Sequence, residues 1–259
     1  MNADERRCSH RDASSRGVTL IELLIAVSLL SLLSVGMLMA LRVGLNALDK
    51  ANSKLIANRR AAAVQSILES QIANLMPVTA ACPSGQPGSP PAQTPFFEGQ
   101  PQSMRFVSSY SLEEAARGYP RILELAVIPG ENNRGVRLIV NEYQYTGPLS
   151  AGASCLGFIE NPAPGIPRAP QFRAIEPGPR SFVLADRLAF CRFAFMEVMP
   201  PPEFTRWHPE WRFPKWPGAV RIEMQSLDPD PTRVPLAGLT VPIHVNRWPN
   251  TLYADNYLQ

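Results

Sequence analysis

The sequence predicts an α+β chain in which a long N-terminal helix, transmembrane in its first half and amphipathic in its second, packs on an antiparallel β-sheet head. Three observations predict it. All 27 prolines follow Met76; an apolar run fills Val18 to Leu41; and past Pro101 short apolar-polar alternations are bounded by Gly, Pro and Asn. Proline removes a backbone donor and costs about 3 kcal/mol inside a helix. The first 76 residues are therefore free to be helical. The remainder, roughly 15% proline against a typical level of about 5%, suits turns and strand ends.

Composition narrows the function classes. At 259 residues the chain can bury a core without a disulfide scaffold. With 25 Lys and Arg against 22 Asp and Glu it lacks the charge of a strongly basic nucleic-acid binder. A hydrophobic content of 45% excludes wholesale disorder.

The elements follow in order. Residues 1–17 are a polar leader, with four arginines ahead of the apolar run. Residues 18–41, VTLIELLIAVSLLSLLSVGMLMAL, span about 36 Å at the helical rise, enough for a hydrocarbon core of roughly 30 Å, with Glu22 as their charge. The positive-inside tendency keeps the N-terminus cytoplasmic, against which Arg42 acts weakly. Residues 42–76 continue the helix, with Leu41, Leu45, Leu48, Leu55, Ile56, Val64, Ile67, Leu68, Ile72 and Leu75 near the three-or-four spacing of one face, and Pro77 as the stop. Gly36 and Gly44 fit either a local bend or close helix packing.

Residues 77–101, which include CPSGQPGSPPAQTP, form a Pro/Gly-rich connection without a strand period. Residues 102–259 are the β-rich head. Its expected strands are Ser103 to Ser109, Arg121 to Ile128, Val136 to Tyr145, Leu188 to Val198, Val220 to Ser226 and Leu239 to Val245. The hairpin joining RILELAVI to VRLIVNEYQY through PGENNRG is the clearest antiparallel pair. No strand-helix alternation points to a parallel sheet.

The break that resembles a processing site, Arg16-Gly17-Val18, precedes the apolar run rather than following it, unlike a secretory signal. Gly17-Val18-Thr19-Leu20-Ile21-Glu22-Leu23-Leu24 resembles the class III signal of the type IV pilin-like superfamily, which includes type II secretion pseudopilins. The resemblance implies cleavage between Gly17 and Val18 by a prepilin peptidase, N-methylation of Val18, and subunit assembly through Glu22 against a neighbour's terminal amine. Val18 departs from the Phe found in most of the family. Physics agrees with the role of Glu22, because a carboxylate at membrane depth costs about 2.5 to 3.5 kcal/mol and calls for a cationic partner. An ordinary anchor with a snorkelling Glu22 is the plainer reading.

In the head, RLAFCRFAFMEV, RWHPEWRFPKWPGAVRIEM and LTVPIHVNR are similar to J-type minor pseudopilins. The Pro-rich stretches Asn161 to Pro179 and Asp228 to Pro235 depart from a compact pattern. The resemblance implies a tip or initiation subunit of a periplasmic pseudopilus, held in the bacterial inner membrane. Its partners would be I-type and K-type minor pseudopilins, the major pseudopilin and the inner-membrane assembly platform. A minor type IV pilin for adhesion, motility or DNA uptake shares every N-terminal feature. A membrane-anchored periplasmic enzyme or binding protein is the reading from another class.

No constellation points to catalysis, so the expectation is a non-enzyme without metal or cofactor. His208 and His244 lie in no HExxH pattern, and His208-Pro209-Glu210 supplies too few ligands for a metal site. With Cys8 in the leader, Cys82 and Cys155, in Gly/Pro/Ser-rich stretches, are favoured over Cys191 as a disulfide pair; the unpaired alternative stays open. Trp207, Trp211 and Trp216, interleaved with Arg206, Arg212 and Lys215, fit either core packing with cation-π contacts or partner contact. Nucleic-acid binding is not expected from a single short cluster.

Overall fold

The computed structural model describes residues 17–85, 88–114, 116–160, 168–199, 201, 204–228 and 238–244. The expectations on residues 1–16, on 161–167 and 229–235 within the two Pro-rich stretches, and on 245–259 lie outside them. A single helix, α1, runs over Leu20–Ala73. The chain divides into two compact units, 1–55 and 56–259.

In the first unit every residue from Gly17 to Ser53 is exposed. The apolar stretch carries mean hydropathy 2.5 over 18 residues, with none of it buried inside the chain. Its serines return their hydroxyls to the helix, Ser28 and Ser31 donating to the Ile25 and Ser28 carbonyls and Ser34 to that of Leu30, each at 2.8 Å. No serine in that series is left as an unpaired donor, which is what a lipid environment demands.

The second unit is built on a nine-stranded antiparallel sheet. Along its main path lie β1 (Leu75–Met76), β5 (Ser103–Ser111), β6 (Ala116–Pro129), β7 (Val136–Gln144), β10 (Phe182–Val198), β12 (Ala219–Ser226) and β13 (Leu239–Pro242). Two short strands join from the side, β4 (Glu98–Gln100) on β5 and β11 (Thr205–His208) on β10. Two separate ribbons pair β2 (Thr79–Cys82) with β3 (Ala92–Pro95) and β8 (Cys155–Glu160) with β9 (Arg168–Phe172). A one-turn helix, α2 (Pro148–Gly152), precedes β8.

Period-two alternation gives the sheet two apolar faces. Val64, Leu68 and Ile72 of α1, at successive four-residue steps, join Leu75, Met104, Phe106, Leu123, Leu125, Leu138 and Val140 in the main core. The intervening Val107 and Ile122 meet Phe96, Ala80 and Phe172 in a second core on the opposite face.

Four expectations need correcting. The helix stops at Ala73 rather than Met76, because Leu75 and Met76 pair with Ser108 and Val107. The apolar face expected from Leu41 is buried only from Val64, with Leu45, Leu48 and Leu55 more than half exposed. The stretch 77–101 holds three short strands rather than a connection without strand pattern. β10 begins at Phe182 instead of Leu188, since it pairs first with β7 and then with β12 across bulges around Ala185 and Leu188, where Arg187 takes φ 54. A charged Asp186-Arg187 pair at that bulge hides the strand from a pattern reading.

The burial difference predicts that Leu68→Ala lowers the unfolding free energy of the head by about 3 kcal/mol, whereas Leu45→Ala leaves it unchanged. Urea unfolding followed by the head tryptophans distinguishes the two.

Candidate functional site

The N-terminal motif sits where the helix begins. Gly17, Val18 and Thr19 are exposed and lie outside α1. The Gly17-Val18 bond thus lies in exposed, non-helical chain. Thr19 caps the helix, its carbonyl accepting from Glu22 N at 3.1 Å and Leu23 N at 3.2 Å, while its hydroxyl lies 3.4 Å from Glu22 N. The Thr-x-x-Glu spacing of a capping box was readable in the sequence and points to Thr19, which the motif reading passed over. Glu22 stands in the first turn, where the helix dipole favours an anion. Its carboxylate has no partner among the described residues.

Among the head cysteines, Cys82 and Cys155 are bridged, with Cα atoms 5.5 Å apart and a sequence separation of 73. Both lie on strands, Cys82 ending β2 and Cys155 opening β8, rather than in the loops their neighbours suggest. The bridge ties the two ribbons into the second core. Cys191 is free and buried in the main core, where burial pushes its thiol up to about 12. It is no nucleophile at neutral pH.

The aromatic loop after β11 is largely interior. Trp211 is 4% exposed, its indole N–H donating to the Lys215 carbonyl at 2.6 Å and its ring 4.8 Å from that of Phe213. Trp207 is half-buried with the Arg221 guanidinium 4.0 Å above its ring. Trp216 is half-buried and packs on the main core. Glu210 pairs with Arg212 at 2.7 Å, and His208 with Glu197 at 2.9 Å. Lys215 reaches the other Glu197 oxygen at 2.7 Å. Burial alone would raise the Glu197 carboxyl, but the hydrogen bonds from Lys215 and His208 outweigh it and hold the group below the usual carboxylate range. Among the described residues no three potential ligands gather to hold a metal ion.

Beneath the second core runs a polar row that sequence reasoning missed. Register sets Glu98 opposite Arg105, Arg105 opposite Glu124 and Glu124 opposite Asn141, across β4, β5, β6 and β7. Arg105, 1% exposed, donates to Glu98 at 2.5 Å, Glu124 at 2.8 Å and the Arg173 carbonyl at 2.9 Å. Asn141 donates to the Glu176 carbonyl at 3.0 Å and accepts from Ser181 at 2.5 Å. The row anchors the chain after β9 onto the sheet. Its signal was a polar residue inside each of MRF, LEL and VNE, visible only once register is known.

Residues 12–38 match the prokaryotic N-terminal methylation motif. The match supports a type IV pilin-like chain. It implies processing by a prepilin peptidase and suggests a structural protein rather than an enzyme. The fold agrees, as a long apolar N-terminal helix followed by an antiparallel β-rich head is the pilin-like arrangement. That helix fits a membrane anchor for the head. No curated protein matches the chain.

A depressed carboxyl stabilises the fold above its unfolded value and loses that contribution as pH falls through the folded one. Glu197 therefore helps fully above about pH 5 and progressively less below. Glu197→Gln is expected to lower the melting temperature at neutral pH and to flatten its fall between about pH 5 and about pH 3, measured by thermal unfolding across that range.

Proposed function

We infer that this chain is a minor pseudopilin of a type II secretion system, a J-like tip or initiation subunit of the periplasmic pseudopilus. The observation that carries the reading is the N-terminal constellation. An accessible Gly17-Val18 bond precedes an exposed apolar helix whose first turn holds the unpartnered Glu22, all within the methylation motif. Cleavage after Gly17 creates a terminal amine at Val18, which the peptidase would then methylate. The finer assignment is supported by the head, where the three J-like runs contribute β10, β12 and β13, adjacent members of one sheet.

The mechanism is an exchange of apolar environments. The precursor is held in the inner membrane with its N-terminus cytoplasmic and its head periplasmic. The assembly platform then transfers the exposed helix from lipid to neighbouring helices, so that its apolar surface stays out of water. Glu22 finds a neighbour's terminal amine in that step, which compensates its charge and sets axial register. The head selects its neighbours, the I-type and K-type minor pseudopilins and the major pseudopilin, by surface complementarity. Trp207 and Trp216 offer half-buried contact area for that selection. Trp211, being interior, acts by holding the loop in shape.

Glu22→Ala is expected to abolish incorporation into pseudopili while leaving head unfolding unchanged. Co-purification with I-type and K-type subunits, compared between wild type and variant, measures it. Normal incorporation of the variant contradicts the role of Glu22. Co-purification with pilus subunits alone places the chain in a type IV pilus.

A further inference from the structure

The buried row does not balance its own charge. Two carboxylates, Glu98 and Glu124, share the guanidinium of Arg105, and Asn141 adds none. Their side chains are 15% and 11% exposed. An uncompensated anion at such depth is costly, so a proton or a second cation must make up the deficit. Burial raises the Glu98 carboxyl, against the lowering effect of Arg105 and the hydrogen bond from Gln100.

Glu98, and not Glu124, lines a cleft of about 250 Å³. Glu98 and Gln100 of β4, Ile159 of β8, Gln171 and Phe172 of β9, and Trp211 and Phe213 line it. Glu210 and Arg212 at the rim are paired with one another and add no net charge. Gln100 donates its Nε2 to Glu98 Oε1 at 2.9 Å, and its amide oxygen has no partner among the described residues. Each Glu98 oxygen accepts one bond within the chain and keeps a second acceptor site.

We propose that this cleft binds an alkylammonium or alkylguanidinium group, the Glu98 carboxylate taking the charged head and the apolar walls the alkyl stem. A hard metal ion does not fit, since calcium takes about six to eight oxygen ligands and of the two carboxylates in this lining Glu210 is already paired with Arg212, which leaves Glu98 beside the amides of Gln100 and Gln171 and several apolar side chains. An alkyl cation matches both halves of the lining, and brings the positive charge the row lacks. A lysine or arginine side chain on a neighbouring protein and a free amine share this chemistry. The proposal does not depend on the secretion reading.

Titration of the full chain in nonionic micelles tests it, followed through the Trp211 indole and Ile159 methyl resonances. The probes are N-acetyl-lysine methylamide, N-acetyl-arginine methylamide, n-butylammonium and the neutral N-acetyl-norleucine methylamide. The cationic probes are expected to bind at least about tenfold more tightly than norleucine, as a charge-assisted contact requires. A lysine probe stronger than n-butylammonium assigns the cleft to a protein side chain, and equal affinities assign it to amines in general; either supports the site. Glu98→Gln should weaken the cations by about tenfold and leave norleucine unaffected. Ile159→Trp, which fills the cleft from a partly exposed position and leaves the row intact, should abolish binding even if Glu98→Gln fails to fold. Affinity should fall as pH drops through the raised Glu98 value, with Arg105, Glu124, Glu210 and Arg212 the charged groups around it. Equal affinity for lysine and norleucine probes, no saturable shift, or unchanged binding by the Ile159 variant overturns the proposal.

Discussion

One helix has to satisfy two environments, and the rest of the structure follows from that constraint. Over its first part α1 keeps its apolar residues exposed, a surface that water penalises at about 25 cal/mol per Å². Over its last turns Val64, Leu68 and Ile72 are the seam on which the main core closes. A single proline in either part would break the connection between anchor and head, and none occurs before Pro77. The serines of the apolar part turn their hydroxyls back on the helix, and Glu22 is the one charged residue from Val18 to Leu41. A carboxylate is costly at membrane depth, which supports the proposed pairing of Glu22 with a neighbour's amine.

The head solves a different problem. A sheet with two apolar faces needs a cover on each, and α1 covers only one. The opposite face is closed by pieces that are short and poor in regular structure: the β2–β3 and β8–β9 ribbons and the chain from Arg173 to Ser181. Such pieces bury too little apolar surface to hold themselves. The Cys82–Cys155 bridge restricts them in the unfolded chain, a contribution of about 2–4 kcal/mol in the usual account. The Arg105 row then fixes their position by directed bonds rather than by burial, and Arg105 is indispensable there because its removal leaves two buried carboxylates unpaired.

Much of this was legible in the sequence, and where it was not the reason is physical. The helix, the head and six strands announce themselves through proline placement and alternation, because propensity and burial agree there. β2, β3 and β4 lie among prolines and glycines, and pair only because the core and the disulfide hold them; local pattern carries no trace of that. The end of α1 was misplaced for a similar reason, since Leu75 and Met76 continue the helical period and are drawn into the sheet by β5. In the site, Glu22 was legible from a motif and Thr19 from its spacing. The Glu98–Arg105–Glu124–Asn141 row required the register of four strands, which no single segment encodes. Composition left Trp211 open between core packing and partner contact, and burial against Phe213 decides for the core.

The proposed function rests on the Gly17-Val18 bond, because cleavage there would create the amine proposed to meet Glu22. The most direct measurement is the intact and peptide mass of the chain expressed with and without a prepilin peptidase. A peptidase-dependent N-terminus at Val18, heavier by one methyl group, is expected. A chain that still begins at Met1 or Asn2 in the presence of the peptidase contradicts it, and leaves an ordinary single-pass anchor carrying a periplasmic domain.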